Sequence, residues 1–213
     1  MMRAYNDIYL YNAAGNFGSM MDFAVNDCEI NGDQYLQMFI SSGLARQFER
    51  GNPRVIAGLS GVEIAIEAIS KTTGQAPTVK LDYIDKHTEE YWGGWALAHY
   101  QWYTARSFSA ILRFMPFSHL LDMYPTLHEA DITKLYEVVD TIYQRTMPQT
   151  NLQRIRKIAG LSQSELAIDV GVSVRSIQMY EQRKKDINKA QVITILKIAR
   201  TLGCEAEDLI EAG

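Results

Sequence analysis

Apolar and polar positions alternate with a helical period over most of the chain. "SGVEIAIEAIS", residues 60 to 70, opens with Ser60 and Glu63 in S-x-x-E spacing, and Val62, Ile64, Ile66 and Ile69 follow. In that spacing each of the two side chains can satisfy a free backbone donor of the first turn, so a capped helix is predicted there. The same spacing recurs at Thr126 and Glu129, just after Pro125. It precedes Ile132, Leu135, Tyr136, Val139 and Ile142 at intervals of three and four, which predicts a second capped helix. "GSMMDFAVND", "DQYLQMFISSGLARQF", "EYWGGWALAHYQWYTA" and "SFSAILRFM" also carry helical spacing or composition. Only "TVKLDY", residues 78 to 83, alternates like a strand. No internal repeat or low-complexity tract interrupts this pattern. The expected fold class is all-α (mostly α).

From Leu152 onward five helices can be drawn, at about 151 to 159, 163 to 170, 174 to 182, 190 to 202 and 206 to 211. Each boundary has a local cause. Gly160 can supply a left-handed stop, Ser162 can cap the second helix, Gly171 permits a sharp turn and Ser173 can cap the third. Leu161, Leu166, Ala167, Val170, Val172, Ile177 and Tyr180 supply inward positions. Val192, Ile195, Leu196, Ile198, Ala199 and Leu202 line a packing face on the fourth helix. The small Ala167 lets the second and third helices approach closely at a steep angle, which makes this a helix-turn-helix core.

Charge divides the chain at the same place. Residues 1 to 150 hold 11 Lys and Arg against 17 Asp and Glu, net −6, whereas residues 151 to 200 hold 10 against 4, net +6. Four acids in the last thirteen residues restore the overall −4. A global acidic balance would argue against nucleic acid, but a phosphate feels the local surface within a Debye length. The polar "RTMPQTN", residues 145 to 151, precedes the change of sign. The expected organisation is therefore a helical domain at 1–145, a linker at 146–150 and a DNA-binding domain at 151–213.

The third helix of that last domain is rich in polar residues. With its N-terminus projecting, Val174, Arg175, Gln178 and Met179 can face outward together into a major groove about 12 Å wide. Arg offers a bidentate fork to guanine, Gln offers one to adenine, and Val or Met can meet a thymine methyl. Ser162, Gln163, Ser173, Arg183, Lys184, Lys185, Asn188 and Lys189 sit at helix ends and in the following loop, where they are the expected phosphate contacts. One such module makes few contacts, so a homodimer on a two-fold operator in double-stranded DNA is expected.

The stretch "LQRIRKIAGLSQSELAIDVGVSVRSIQMYEQRKKDINKAQVITILKIARTLGCEAEDLIE" resembles the Cro and phage-repressor type of helix-turn-helix family, over about 60 residues. The resemblance implies a five-helix, λ-repressor-like domain in which Gln163 anchors a helix start on the DNA backbone and Val174, Arg175 and Met179 fall at base-contact positions. The chain departs from the family pattern at Arg183, where Gly is usual. A left-handed conformation costs a non-glycine residue about 1 kcal/mol there.

The first 145 residues offer little chemistry. No nucleophile elbow, phosphate-binding loop or HExxH pair occurs, and the histidines at 87, 99, 119 and 128 are scattered. "RFMPFSH" has an R-x5-H spacing similar to that of small helical ribonucleases, but Pro116 interrupts it and Phe114 follows Arg113. No catalytic residue, metal ligand or cofactor is assigned, and the chain is not expected to be an enzyme. Cys28 and Cys204 lie far apart and are expected to be buried free thiols. With no leader and no apolar run of 18 residues, the expected location is cytoplasmic, without membrane contact.

Trp92, Trp95 and Trp102 share "YWGGWALAHYQWYTARSF" with four other aromatic residues and His99. Helical spacing makes most of this stretch core, with Gly93 and Gly94 allowing a close helix crossing; as a partly exposed patch, the tryptophans would anchor a partner. This stretch and "YPTLHEAD" also resemble stretches of uncharacterised bacterial chains of regulator or antitoxin type that carry the same C-terminal module. Two functions follow as expectations. One is an autorepressing antitoxin, whose acidic domain binds a co-encoded toxin. The other is a transcriptional regulator that senses a small molecule in an aromatic pocket.

Overall fold

A computed structural model describes residues 3–77, 88–146 and 149–211. The strand-like stretch at 78 to 83, His87, and Met147 and Pro148 of the expected linker lie outside the described residues. Among the described residues there is no strand, and the fold is all-α. None of their helices is long and apolar enough to cross a membrane. The chain divides into two compact units, one ending at Tyr143 and the other spanning Gln144–Ala212.

The first unit holds α1 (Leu10–Asp22), α2 (Gly32–Ser41), α3 (Leu44–Glu49), α4 (Gly61–Thr73), α5 (Glu89–Thr104), α6 (Phe108–Leu112), α7 (Phe117–Leu121), α8 (Tyr124–Leu127) and α9 (Ile132–Thr146), whose last turn passes the boundary. Its centre is the crossing of α1 and α5. A Cβ on Gly94 would lie 2.7 Å from the Phe17 carbonyl oxygen, and one on Gly18 would lie 2.8 Å from that of Tyr91. Two glycines on opposite helices thus let the backbones approach, so the expected close crossing is present at Gly94, whereas Gly93 faces the Phe117 and Leu121 side chains of α7. Beside it the rings of Phe17, Phe39, Phe48 and Phe108 pack edge-to-face or stacked, with centroids 4.9–6.4 Å apart.

Short helices in this unit are started by distant side chains. The Asp33 carboxylate accepts from the amides of Phe117 (2.6 Å) and Ser118 (3.3 Å) at the start of α7. Glu49 accepts from the Phe108 amide (2.7 Å) at the start of α6. Each satisfies donors that a helix of five residues leaves open. The predicted capping box at Ser60 and Glu63 is present on α4.

The one predicted from Thr126 is not: Thr126 lies inside α8, and its hydroxyl donates to the Met123 carbonyl. Pro125 already starts a helical turn ahead of Thr126, so that side chain bonds backward. Asp131 takes the role instead, accepting from the Thr133 amide at 2.9 Å, and the long helix begins at Ile132.

The second unit holds α10 (Asn151–Ile158), α11 (Gln163–Val170), α12 (Val174–Glu181) and α13 (Val192–Leu202), with a 3-10 turn at Ile187–Lys189 and another, Ala206–Leu209, where a fifth helix is expected. Gly160 and Gly171 stop α10 and α11 with φ of +72° and +74°. Leu166, Ala167, Val170, Ile177 and Tyr180 are buried as expected, and Leu161 and Val172 are partly buried against them. The fourth helix needs a correction. Ile195, Ile198, Ala199 and Leu202 are buried, whereas Val192 is 71% and Leu196 38% exposed. The true stripe is the i, i+3, i+4, i+7 set that begins at Ile195; Leu196 lies about 100° round from it and Val192 sits a turn ahead. Both cysteines are free but half-buried rather than buried. Burial and the neighbouring Asp27 push the Cys28 thiol up to about 11, so it stays protonated.

Candidate nucleic-acid interface

Two capped helix starts frame the surface. The Ser162 hydroxyl accepts from the Glu165 amide (3.1 Å), and the Glu165 carboxylate accepts from the Ser162 amide (2.7 Å). These bonds hold Glu165 below the usual carboxylate range. The Ser173 hydroxyl accepts from the Ser176 amide (3.1 Å) and fixes the start of α12. Only the open φ of Gly171 is needed for the turn between them: a Cβ there would meet nothing within 4 Å. The turn is set by backbone conformation and not by crowding.

α12 is amphipathic in the sense a reading helix needs. Ile177, Tyr180 and Glu181 are buried. On the opposite side Arg175 is exposed, Gln178 and Met179 are half-exposed, and Val174 is half-exposed while touching the core. The four expected base-contact residues therefore share one arc of the helix. Gln182, also exposed, stands near the middle of that arc, seven residues beyond Arg175. Its spacing already placed it there; only its position at the helix end hid it.

The buried side carries an ion pair that the sequence reading did not find. Arg156 of α10 makes a fork to Glu181 of α12, with Nε to Oε1 at 2.6 Å and the second arm at 2.9 Å; its remaining amino group donates to the Leu161 carbonyl (2.6 Å). Gln163 donates to the same carboxylate at 2.7 Å. Gln163, expected on phosphate, is thus held at the start of α11 by a residue of α12. A signal was present: Arg156 follows Leu152 and Ile155 on an apolar stripe, and Glu181 follows Ile177 and Tyr180. A charge on an apolar stripe calls for an opposite partner.

The loop after α12 carries the cations. Lys184, Lys185 and Lys189 are exposed; Lys185 lies 5.1 Å over the Tyr180 ring, and Lys189 is 3.3 Å from Asp186. Arg183 has φ of +55°, the left-handed conformation that the usual Gly would take. Its guanidinium donates to the Gln149 carbonyl (3.0 Å) and lies 3.8 Å from Glu211. Asn188 donates to the Glu211 carbonyl (2.8 Å) and accepts from the Glu211 amide (2.9 Å). Arg183 and Asn188, both expected on phosphate, are therefore engaged within the unit, as Gln163 and Lys189 are.

In the first unit the three tryptophans are all half-buried. The Trp102 indole donates to the Tyr5 carbonyl (2.9 Å) with the Arg3 guanidinium 4.5 Å over its ring, Trp92 meets Tyr124 edge-on, and Trp95 leans on His99. Ile8 and Tyr11, which the sequence reading passed over, are 75% and 86% exposed. Arg113 and His119, the R-x5-H pair, are both exposed. No group of three His, Cys, Asp or Glu among the described residues could hold a metal ion.

Residues 152–209, 58 of 213, match a family model described as Helix-turn-helix. No curated protein and no solved structure matches the chain. The matched stretch is a helix-turn-helix domain of the Cro and phage-repressor kind, and it supports DNA-binding regulation of transcription.

Proposed function

We propose that the chain is a sequence-specific repressor that reads a two-fold operator as a homodimer through residues 151–213, and that residues 1–145 hold a protein partner. The observation that carries the DNA reading is the division of α12: Ile177, Tyr180 and Glu181 fasten one side, and Val174, Arg175, Gln178 and Met179 are left on the other, with Gln182. Lys184, Lys185 and Lys189, with the starts of α11 and α12 at Ser162, Gln163 and Ser173, supply the phosphate contacts. Arg183 and Asn188 shape the loop.

The partner is a basic toxin encoded beside this chain, which acts as its antitoxin in the cytoplasm. A net charge of −6 over residues 1 to 150 would steer a cationic protein and keep this part of the chain off DNA. Half-buried Trp92, Trp95 and Trp102 offer aromatic anchors. A small-molecule sensor gains no support from the cavity beside Tyr100. Lined by Leu97, Ile111, Met115 and Val139 among others, it measures about 10 Å³, no more than one water needs.

Titration of the full chain on its own promoter and on random duplex tests the DNA reading. Arg175→Ala should cost about 1–3 kcal/mol at the preferred site and flatten the preference; wild-type protein without selectivity would overturn it. Co-expression with the neighbouring gene product tests the partner: growth rescue and a stable complex are expected, and a harmless neighbour would end the antitoxin reading.

A further inference from the structure

Four polar contacts converge on Glu211. Its carboxylate accepts from the Asn151 amide at the start of α10 (2.6 Å) and lies 3.8 Å from the Arg183 guanidinium. Its backbone amide and carbonyl form a two-way clasp with the Asn188 side chain. Asn151 also donates to the Ile210 carbonyl (2.8 Å), and Arg183 reaches the Gln149 carbonyl (3.0 Å). The loop after α12 is thus tied at both ends, at Arg183 and at Asn188, to one residue far along the chain and to the stretch 149–151 that leads into α10. Between the ties stand Lys184 and Lys185, both exposed.

We propose that Glu211 is a positioning residue for DNA binding: its latch on Arg183, Asn188 and Asn151 holds the loop in the shape that presents Lys184 and Lys185 to phosphate. The proposal rests on the reading of those lysines as phosphate contacts. Three physical points favour it. Arg183 occupies a left-handed conformation that a non-glycine residue resists, so its loop needs an external hold. Flexible lysines gain little from phosphate unless their backbone is already ordered, because ordering it on binding costs affinity. And an acid beside a DNA-facing loop opposes DNA electrostatically, so a carboxylate there is expected to have a separate use.

A carboxylate that repels DNA and one that holds the loop have opposite effects when removed. If Glu211 acted by charge alone, Glu211→Ala would tighten DNA binding and steepen its salt dependence. As a latch, loss of its carboxylate, which releases Asn151 and Arg183 and leaves the backbone clasp on Asn188, weakens binding about 5- to 10-fold near 0.1 M salt on every sequence and lowers the salt slope by about one, the value of one phosphate contact. Relative preference among operator variants, which α12 sets, stays unchanged. Asn188→Ala, which opens the clasp from the loop side and alters no charge, should do the same. In a Lys184→Ala/Lys185→Ala background Glu211→Ala should add nothing.

The measurements are titrations of the full chain at several salt concentrations, below the melting temperature of each variant. Tighter binding by Glu211→Ala, an unchanged slope in both single variants, or full additivity with the lysine substitutions would overturn the latch. An unchanged slope in Lys184→Ala/Lys185→Ala would instead overturn the phosphate reading, and the latch with it.

Discussion

The two units solve the problem of holding short helices together by opposite means. The first brings backbones into contact through Gly18 and Gly94 and fills the space beside them with four phenylalanine rings. The second has no such crowding at its central turn, where Gly171 faces open space, and it fastens α12 with a buried charge pair. Packing of the first kind is made from apolar area and tolerates no added atoms. Fastening of the second kind depends on both partners being present. The units should therefore fail differently, and all three tryptophans lie before Tyr143, so their fluorescence reports the first unit alone.

The largest effect is expected at Glu181. Glu181→Ala leaves the Arg156 guanidinium buried without its fork and frees Gln163, at a cost of about 3–5 kcal/mol to the second unit. Replacing both partners, as Arg156→Met with Glu181→Leu, should recover most of that loss. Denaturant unfolding followed by circular dichroism should show the change while the tryptophan transition stays in place. A shift of both transitions together would mean that the units do not unfold independently.

One substitution made in both units separates the two designs. Gly94→Ala pushes a methyl group against the Phe17 carbonyl and should cost the first unit about 3 kcal/mol. Gly171→Ala meets no neighbour and bears only the strain of φ +74°, about 1–2 kcal/mol. Equal losses at the two sites, measured by the probe appropriate to each, would refute the contrast.

These contrasts also explain how much could be read from the sequence. The second unit is punctuated locally: Ser162 with Glu165, Gly171 and Ser173 fall within a dozen residues, so its helix limits and the arc of Val174, Arg175, Gln178 and Met179 were legible. What was hidden there spans distance, namely Arg156 with Glu181 and Glu211 with Asn188. In the first unit the helices could be foreseen, but Asp33 and Glu49 cap helices that begin 84 and 59 residues later. No local pattern announces such a pairing. The error at Val192 and Leu196 has another cause: periodicity marks a stripe but not how far along and around a helix its neighbour reaches.

A smaller effect is expected from acid, and only in the first unit. Burial against Trp95 and near Tyr136 lowers His99 to about 4 from its ordinary 6.5. The unfolded chain then binds a proton more readily than the folded one between those values, so stability falls as pH drops from about 6.5 toward 4 and levels off below. For a partly exposed ring the loss is about 2 kcal/mol. His99→Gln should flatten that stretch of the pH profile in the tryptophan transition. A wild-type profile already flat over the same range would contradict the account.

The smallest effects come from a device that both units share. Ser60 with Glu63 and Ser162 with Glu165 form the same reciprocal cap, with serine-to-amide distances of 3.3 and 3.1 Å. Ser60→Ala and Ser162→Ala should each cost about 1 kcal/mol, every one in its own unit. Equal stability losses make the pair a control for function. Ser162 stands at the start of α11, where a phosphate contact is proposed, whereas Ser60 stands in the acidic unit. Ser162→Ala should therefore weaken DNA binding beyond its effect on stability, on all sequences alike, and Ser60→Ala should leave DNA binding unchanged at temperatures where the fold is intact. Identical binding by the two variants would remove Ser162 from the interface and leave it as a helix cap alone.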